Sequence, residues 1–263
     1  MKTLVSRLIP LIVLSIFLVG WDRAVVLFEV PSYLLPRPGD VARALWAGYV
    51  QQGHYWKHLS TTLQEMAIGY ALGCSVAFLL GAAVAESMTL ERIVMPFVVA
   101  LQSTPKVALA PLLIVWFGFG IASKIVLVAL ICFFPVFVNC FYGFRSANPD
   151  LLRLYRSFMA SRIHIFLRIK VPSAAGAIFA GLQIAVVLAL IGAIVGEFVS
   201  AKEGLGYLIQ SSTLSFDVAT MFAAVVTLSL VGIAASTLIR WLHGRLVFWE
   251  SRERSGATVS EGG

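Results

Sequence analysis

Residues 174–199 carry a single charge, Glu197. An α-helix needs about 20 apolar residues to cross the hydrocarbon core of a bilayer. Inside that core only a helix or a closed barrel satisfies its own backbone polar groups. Comparable apolar runs lie at 1–28, 62–85, 93–117, 124–143 and 218–238. The chain therefore reads as an all-α, polytopic membrane protein with about six transmembrane helices. Its 59% hydrophobic and 13% charged residues depart from the roughly 45–50% and about 25% of soluble domains in the same direction.

The first run begins with Lys2 and Arg7, like a signal peptide. No small-x-small cleavage site follows it; Gly20-Trp21-Asp22 does, so 1–28 is expected to stay as the first transmembrane helix. Asp22 and Arg23 are placed to pair with each other near its outer end. Residues 29–61 form an outer segment. There Pro38-Gly39-Asp40, followed by Val41, Ala44, Leu45 and Gly48, predicts a short interfacial helix. His54 and His58 are four apart and suit one metal on a helix, but no third ligand is evident. An interfacial aromatic and basic anchor is the expected reading. Residues 62–245 form one core domain, interrupted by a polar stretch at 148–172, and 246–263 form a flexible tail.

Six spans put both termini on one side. With the N-terminus inside, thirteen of the 20 Lys and Arg residues fall inside, six outside, and Lys106 within a span. Lysine and arginine collect in cytoplasmic loops, so both termini and 148–172 are expected inside. The net charge of +7 follows from this sidedness and needs no nucleic acid.

The third run is irregular. Pro96, Pro105 and Pro111 interrupt it and Lys106 stands inside it. Broken backbone at membrane depth must be buried or line a cavity, and a charge there faces the interior or a water-filled path. Lys106 either faces a central cavity or is held by carbonyls that the prolines free. Gln102, Lys106 and Glu197 are the candidate translocation pathway. Glu65 reads as an interfacial or hydrogen-bonded acid. Gly69-x-x-x-Gly73 and Gly192-x-x-x-Gly196 predict close helix approach. Cys74, Cys132 and Cys140 all fall in apolar runs and read as packing residues. Gly204-Leu205-Gly206-Tyr207 suggests a tight turn into a short helix that dips toward the membrane.

The stretch from Asn148 to Pro172 is the longest polar break. Pro149 suits a first helical position. Leu151, Leu154, Phe158, Ile165 and Ile169 can line one side at helical spacing. Arg153, Arg156, Arg162, Arg168 and Lys170 are spread around the rest. It is a helical loop with a surface for a partner.

Catalytic patterns are missing. There is no G-x-x-x-x-G-K-[ST], so no Walker loop is encoded, and no H-E-x-x-H or G-x-S-x-G supports a catalytic constellation. An integral membrane enzyme would need a nucleophile or metal cluster at one depth. An assembly scaffold would gain nothing from proline-broken helices around a lysine. Kinked helices, an embedded lysine and one helical loop suit a conduit with an external motor.

The loop residues Asp150 to Arg162, then Phe166 and Val171-Pro172, resemble the cytoplasmic loop of ABC importer permeases that work with a periplasmic binding protein. That loop typically reads E-A-A-R-S-L-G-A-S-R, then F, then L-P. Residues 102–112, Trp116-Phe117-Gly118, Ser123-Lys124, Phe134-Pro135, Asn139, Gly143, Arg145-Ser146, Glu197 and 204–209 resemble the subgroup for sulfonates, taurine, nitrate, and thiamine- or riboflavin-type compounds. The family's Glu-Ala-Ala is Arg153-Leu154-Tyr155 here and its usual Gly is Met159. Ala160-Ser161-Arg162 and Pro172 remain.

The resemblance implies a type I ABC importer permease fold in the bacterial inner membrane. It implies an ATPase-coupling loop at Arg153, Arg156, Ser157, Met159, Ala160, Ser161 and Arg162, and a periplasmic gate at Gly204, Gly206 and Tyr207. It implies two ATPase subunits, a periplasmic binding protein and a second permease copy. No cofactor is expected on this chain, because ATP and Mg would sit on the ATPase. The solute, small and anionic or heterocyclic, would be selected mostly by the binding protein.

Overall fold

The structure is a computed structural model and describes residues 2–249; most of the expected 246–263 tail lies outside the described residues. No strand occurs among them. The helices are α1 Lys2–Leu27, α2 Pro38–Trp46, α3 Tyr55–Glu86, α4 Met88–Ser103, α5 Ala110–Phe117, α6 Ile121–Arg145, α7 Pro149–Ser157, α8 Arg162–Ile165, α9 Val171–Ser200, α10 Leu205–Leu214 and α11 Val218–Leu246. A 3₁₀ turn, Lys106–Leu109, precedes α5, and π-helical turns occupy Ala47–Gln51 and Phe166–Lys170.

Among the described residues, α3, α6, α8 through α9, and α11 are each long and apolar enough to cross a membrane. Residues 88–117 pass the same test only as a pair of helices, bent by 87°. The irregular third run is thus a sharp break at Thr104-Pro105 and not one kinked rod. Proline at 105 supplies no amide to the turn before it. Gly118, with φ +80°, then ends α5 and donates its N–H to Ile114 O at 2.7 Å. Glycine takes that backbone without a Cβ penalty.

The contacts divide the chain into two compact units. One comprises the chain up to Thr62 with Ala201–Ser229; the other comprises Leu63–Ser200 with the stretch from Leu230. Helices α3 and α11 contribute to both.

In the second unit α6 and α9 pack along most of their lengths, with α3 against them. Lipid is as apolar as leucine, so small residues that let backbones approach are what hold such helices together. A Cβ on Gly73 would fall 2.4 Å from Ala129 O, and one on Gly69 2.5 Å from Val128 Cβ. Gly192 and Gly196 meet Ile131 and Lys124 in the same way, each at 3.1 Å. Tyr70 Oη donates to Leu182 O at 3.1 Å and ties α3 to α9. Phe137, Phe141, Phe144, Val128 and Ala185 fill the centre. The three cysteines are buried and unbridged.

In the first unit α2 begins with Pro38 and has Asp40 in its first turn, as its sequence predicts. Asp22 pairs with Arg37 through two hydrogen bonds of 2.8 and 3.0 Å, and not with Arg23. Adjacent residues on a helix point different ways, so Asp22 reaches across to the start of α2. Helix α3 starts at Tyr55, earlier than the apolar pattern suggests. Gly48 leaves room for the buried Tyr55 ring, which a Cβ would meet at 2.3 Å. Tyr55 Oη donates to Thr220 Oγ1 at 3.2 Å.

Candidate functional site

Three groups of residues carry the functional reading, and each is built locally. The first is the loop between α6 and α9. Asn148 caps α7 by accepting the Asp150 N–H at 2.8 Å. Asp150 pairs with Arg153 at 3.4 Å, both well exposed. The helix ends in a turn where Met159 has φ +56°. The Met159 N–H donates to Arg156 O at 3.0 Å and the Ala160 N–H to Tyr155 O at 3.1 Å. Ser161 then caps α8 by accepting the His164 N–H at 3.2 Å. Position 159 is where the resembling loops carry glycine, and the left-handed backbone is the physical reason for glycine there.

The apolar residues of this loop divide into two sets. Ile165 and Ile169 are buried and anchor it, while Leu151, Leu154, Phe158 and Met159 are exposed, Met159 at 94%. Phe166 packs on Phe144 with ring centroids 5.1 Å apart. Lys170 pairs with Glu86. The loop therefore has a fixed base and an exposed tip of apolar and arginine side chains. Pro172 lies in the first turn of α9, directly after the π-helical turn, and the whole of Arg162–Ser200 is helical. The wider turn accommodates the proline, which has no N–H for the preceding carbonyls.

The second group is the candidate pathway. Lys106 Nζ donates to Gln102 O at 2.9 Å and lies 4.5 Å above the centre of the Phe134 ring. Its ammonium thus occupies the carbonyl left without a helical partner where α4 ends. Charge-assisted hydrogen bonds contribute about 1.5–3 kcal/mol. Lys106→Met is expected to lower the melting temperature and yield of the purified protein by a free energy of that order. Normal stability with reduced uptake would instead put the lysine to work on anions.

Glu197 is fully buried beside the equally buried Glu65, and Lys124 Nζ donates to Glu65 Oε1 at 2.6 Å. Helices α3, α6 and α9 each supply one member. Lys124 is only 6% exposed, although position alone makes it an outer-loop charge. An acid near the outer end of the second run and a base at the outer start of the fourth were the signal available for it.

The third group is the start of α10. Gly204 has φ +118° and ψ 161°, a region open essentially to glycine alone. Its N–H donates to His58 Nδ1 at 3.1 Å, and the Leu205 N–H donates to Thr62 Oγ1 at 2.8 Å. Gly206 is buried. The Tyr207 ring stacks on His58, centroids 6.0 Å apart. His58 therefore serves as a hydrogen-bond acceptor. A cavity of about 560 Å³ opens in the same unit, lined by Arg43, Gln52, His54, Tyr55, Asp217 and Thr220 among others.

Comparison with known proteins places the chain in a family. Residues 69–248 match the family described as "Binding-protein-dependent transport system inner membrane component". The chain is 35% identical to the formylaminopyrimidine transport permease protein ThiX of Halalkalibacterium halodurans, over 96% of this chain and 100% of that one. It is 35% identical to the riboflavin transport system permease protein RibX of Chloroflexus aurantiacus, over 91% and 89%. With the taurine transport system permease protein TauC of Escherichia coli it shares 26% identity, over 90% and 87%. A similar fold occurs in an inward-facing structure of the MetNI methionine ABC transporter, with TM-score 0.61 and 18% identity over 81% of this chain and 97% of that one.

Proposed function

Since this chain belongs to the family of binding-protein-dependent transport system inner membrane components, we propose that two copies of it form the pathway of an importer for a small heterocyclic solute. The chain is an ABC importer permease, a transport subunit and not an enzyme, and a multi-pass protein of the bacterial inner membrane. An ATPase and a substrate-binding protein are its partners in the family. The two copies, two ATPases holding ATP and Mg, and a periplasmic binding protein are the assembly we infer.

The observation that carries this is the tip of the 148–172 loop. Its exposed Leu151, Leu154, Phe158 and Met159 stand among Arg153, Arg156 and Arg162 on a base fixed by Ile165 and Ile169. Such a patch marks a protein-binding surface. In the proposed mechanism ATP closes the ATPases and this loop moves as a lever that reorients the spans. Helices α1, α3, α4 with α5, α6, α8 with α9, and α11 make six spans, and the basic-residue count puts both termini and the lever inside. Exposed Leu79, Phe97 and Val115 leave apolar faces for lipid or a second copy. Relatives named for a formylaminopyrimidine and for riboflavin stand at 35% identity, against 26% for taurine, which supports a heterocycle over a small anion.

The test is reconstitution of the chain with its ATPase and binding protein in vesicles. The ATPase should copurify, two differently tagged permease copies should pull each other down, and a pyrimidine or flavin on the binding protein should stimulate ATP hydrolysis. Stimulation by taurine or an alkyl sulfonate alone would overturn the solute class. Failure of the tags to associate would overturn the homodimer in favour of a pair with a paralogous permease.

A further inference from the structure

Helix α10 is capped from another helix. The first N–H groups of any helix have no partner inside it, and Gly204, the residue at the start of α10, makes no side-chain cap. The acceptors come from α3 instead, where His58 takes the Gly204 N–H and Thr62 takes the Leu205 N–H. The two are four residues apart, on one face of α3. A hydroxyl accepts at any ordinary pH. An imidazole accepts only while neutral, because both nitrogens of the cation carry hydrogens. A cation there would also oppose the positive end of the helix dipole.

Charged and titratable groups face His58 from both sides. From its own side, His54 lies with its ring centroid 6.2 Å away, and Lys57 is the neighbour in sequence. From the facing segment come Glu203 and the stacked Tyr207. Lys57 and Glu203 neutralise each other at 2.6 Å.

We propose that His58 is a proton-sensitive latch on α10: the neutral ring holds the Gly204 turn and Tyr207 in place, and a proton on His58 frees them. Histidine is the side chain whose ordinary titration lies between pH 5 and 8. The latch is closed at the alkaline end of that window and opens as pH falls through it. The consequence for transport rests on the reading of Gly204, Gly206 and Tyr207 as an outer gate; the latch itself does not.

Hydrogen–deuterium exchange of the assembled complex, corrected for the intrinsic rate, tests it between about pH 8 and pH 5. Protection of amides 204–208 should fall by about tenfold per pH unit once His58 titrates, while amides in α6 stay unchanged. In His58→Asn the amide oxygen takes the place of Nδ1 and does not titrate, so protection should persist across the range. In His58→Ala protection should be low throughout. Thr62→Val should lower protection by a constant factor and keep the pH slope. A flat wild-type profile, or a His58→Asn slope equal to that of the wild type, overturns the latch. If His58→Asn does not assemble, a His58→Ala slope equal to that of the wild type overturns it too. Solute uptake against external pH is read separately. Uptake that ignores pH while protection follows it upholds the latch and removes α10 from the gate.

Discussion

Lys124→Met is expected to destabilise the protein by about 3–5 kcal/mol, the cost of leaving a buried charge without its partner. The Lys124 and Glu65 side chains are 7% and 0% exposed and 2.6 Å apart. Glu197 is buried beside them, so removal of the ammonium leaves two acids together in an apolar interior. The lysine stem also packs on Gly196, whose Cβ position is 3.1 Å from Lys124 Cγ; methionine keeps most of that contact. The loss should therefore report on charge and not on volume. Thermal unfolding of the purified protein and membrane yield both measure it. The double variant Lys124→Met with Glu65→Leu should recover more than half of the loss, because apolar replacement of both partners of a buried pair is often tolerated. A single variant as stable as the wild type, or a double variant worse than the single, would refute the assignment.

Ala160→Glu is expected to release the ATPase from the complex. Ala160 is half-buried between the left-handed Met159 and the capping Ser161, at the tip of the loop. A carboxylate there would be taken out of water on docking, in a packed surface built around an alanine, and the neighbouring arginines offset only part of that cost. Even about 3 kcal/mol of that penalty weakens binding more than a hundredfold. Copurification of the ATPase should fail while the permease itself still folds, because the side chain sits at a turn and not in the α6–α9 core. Unchanged ATPase recovery and uptake in Ala160→Glu would show that the loop is not the coupling surface.

Class and element type were legible in the sequence because both follow from composition along the chain. An apolar run long enough to span a bilayer can only be helical, so α3, α6, α9 and α11 needed no tertiary information. The start of α2 at Pro38, the loop at 148–172 and the close approach at Gly69 and Gly73 were local patterns in the same sense. The resemblance of the loop to known permeases was likewise carried by short motifs.

Pairing was decided only in three dimensions. Asp22 reaches Arg37 and not Arg23, because neighbours on a helix diverge. Glu197 lies with Glu65 and Lys124, since one face of α9 packs where α3 and α6 meet. Met159 looked like a departure in composition, and its φ of +56° shows what the glycine in related loops is for. His58 read as an interfacial anchor, and only the fold brings its Nδ1 to the Gly204 amide, far along the chain. Apolar patterning constrains which segments leave water. It does not encode which polar atoms meet once they have left, and those meetings set the candidate sites of this protein.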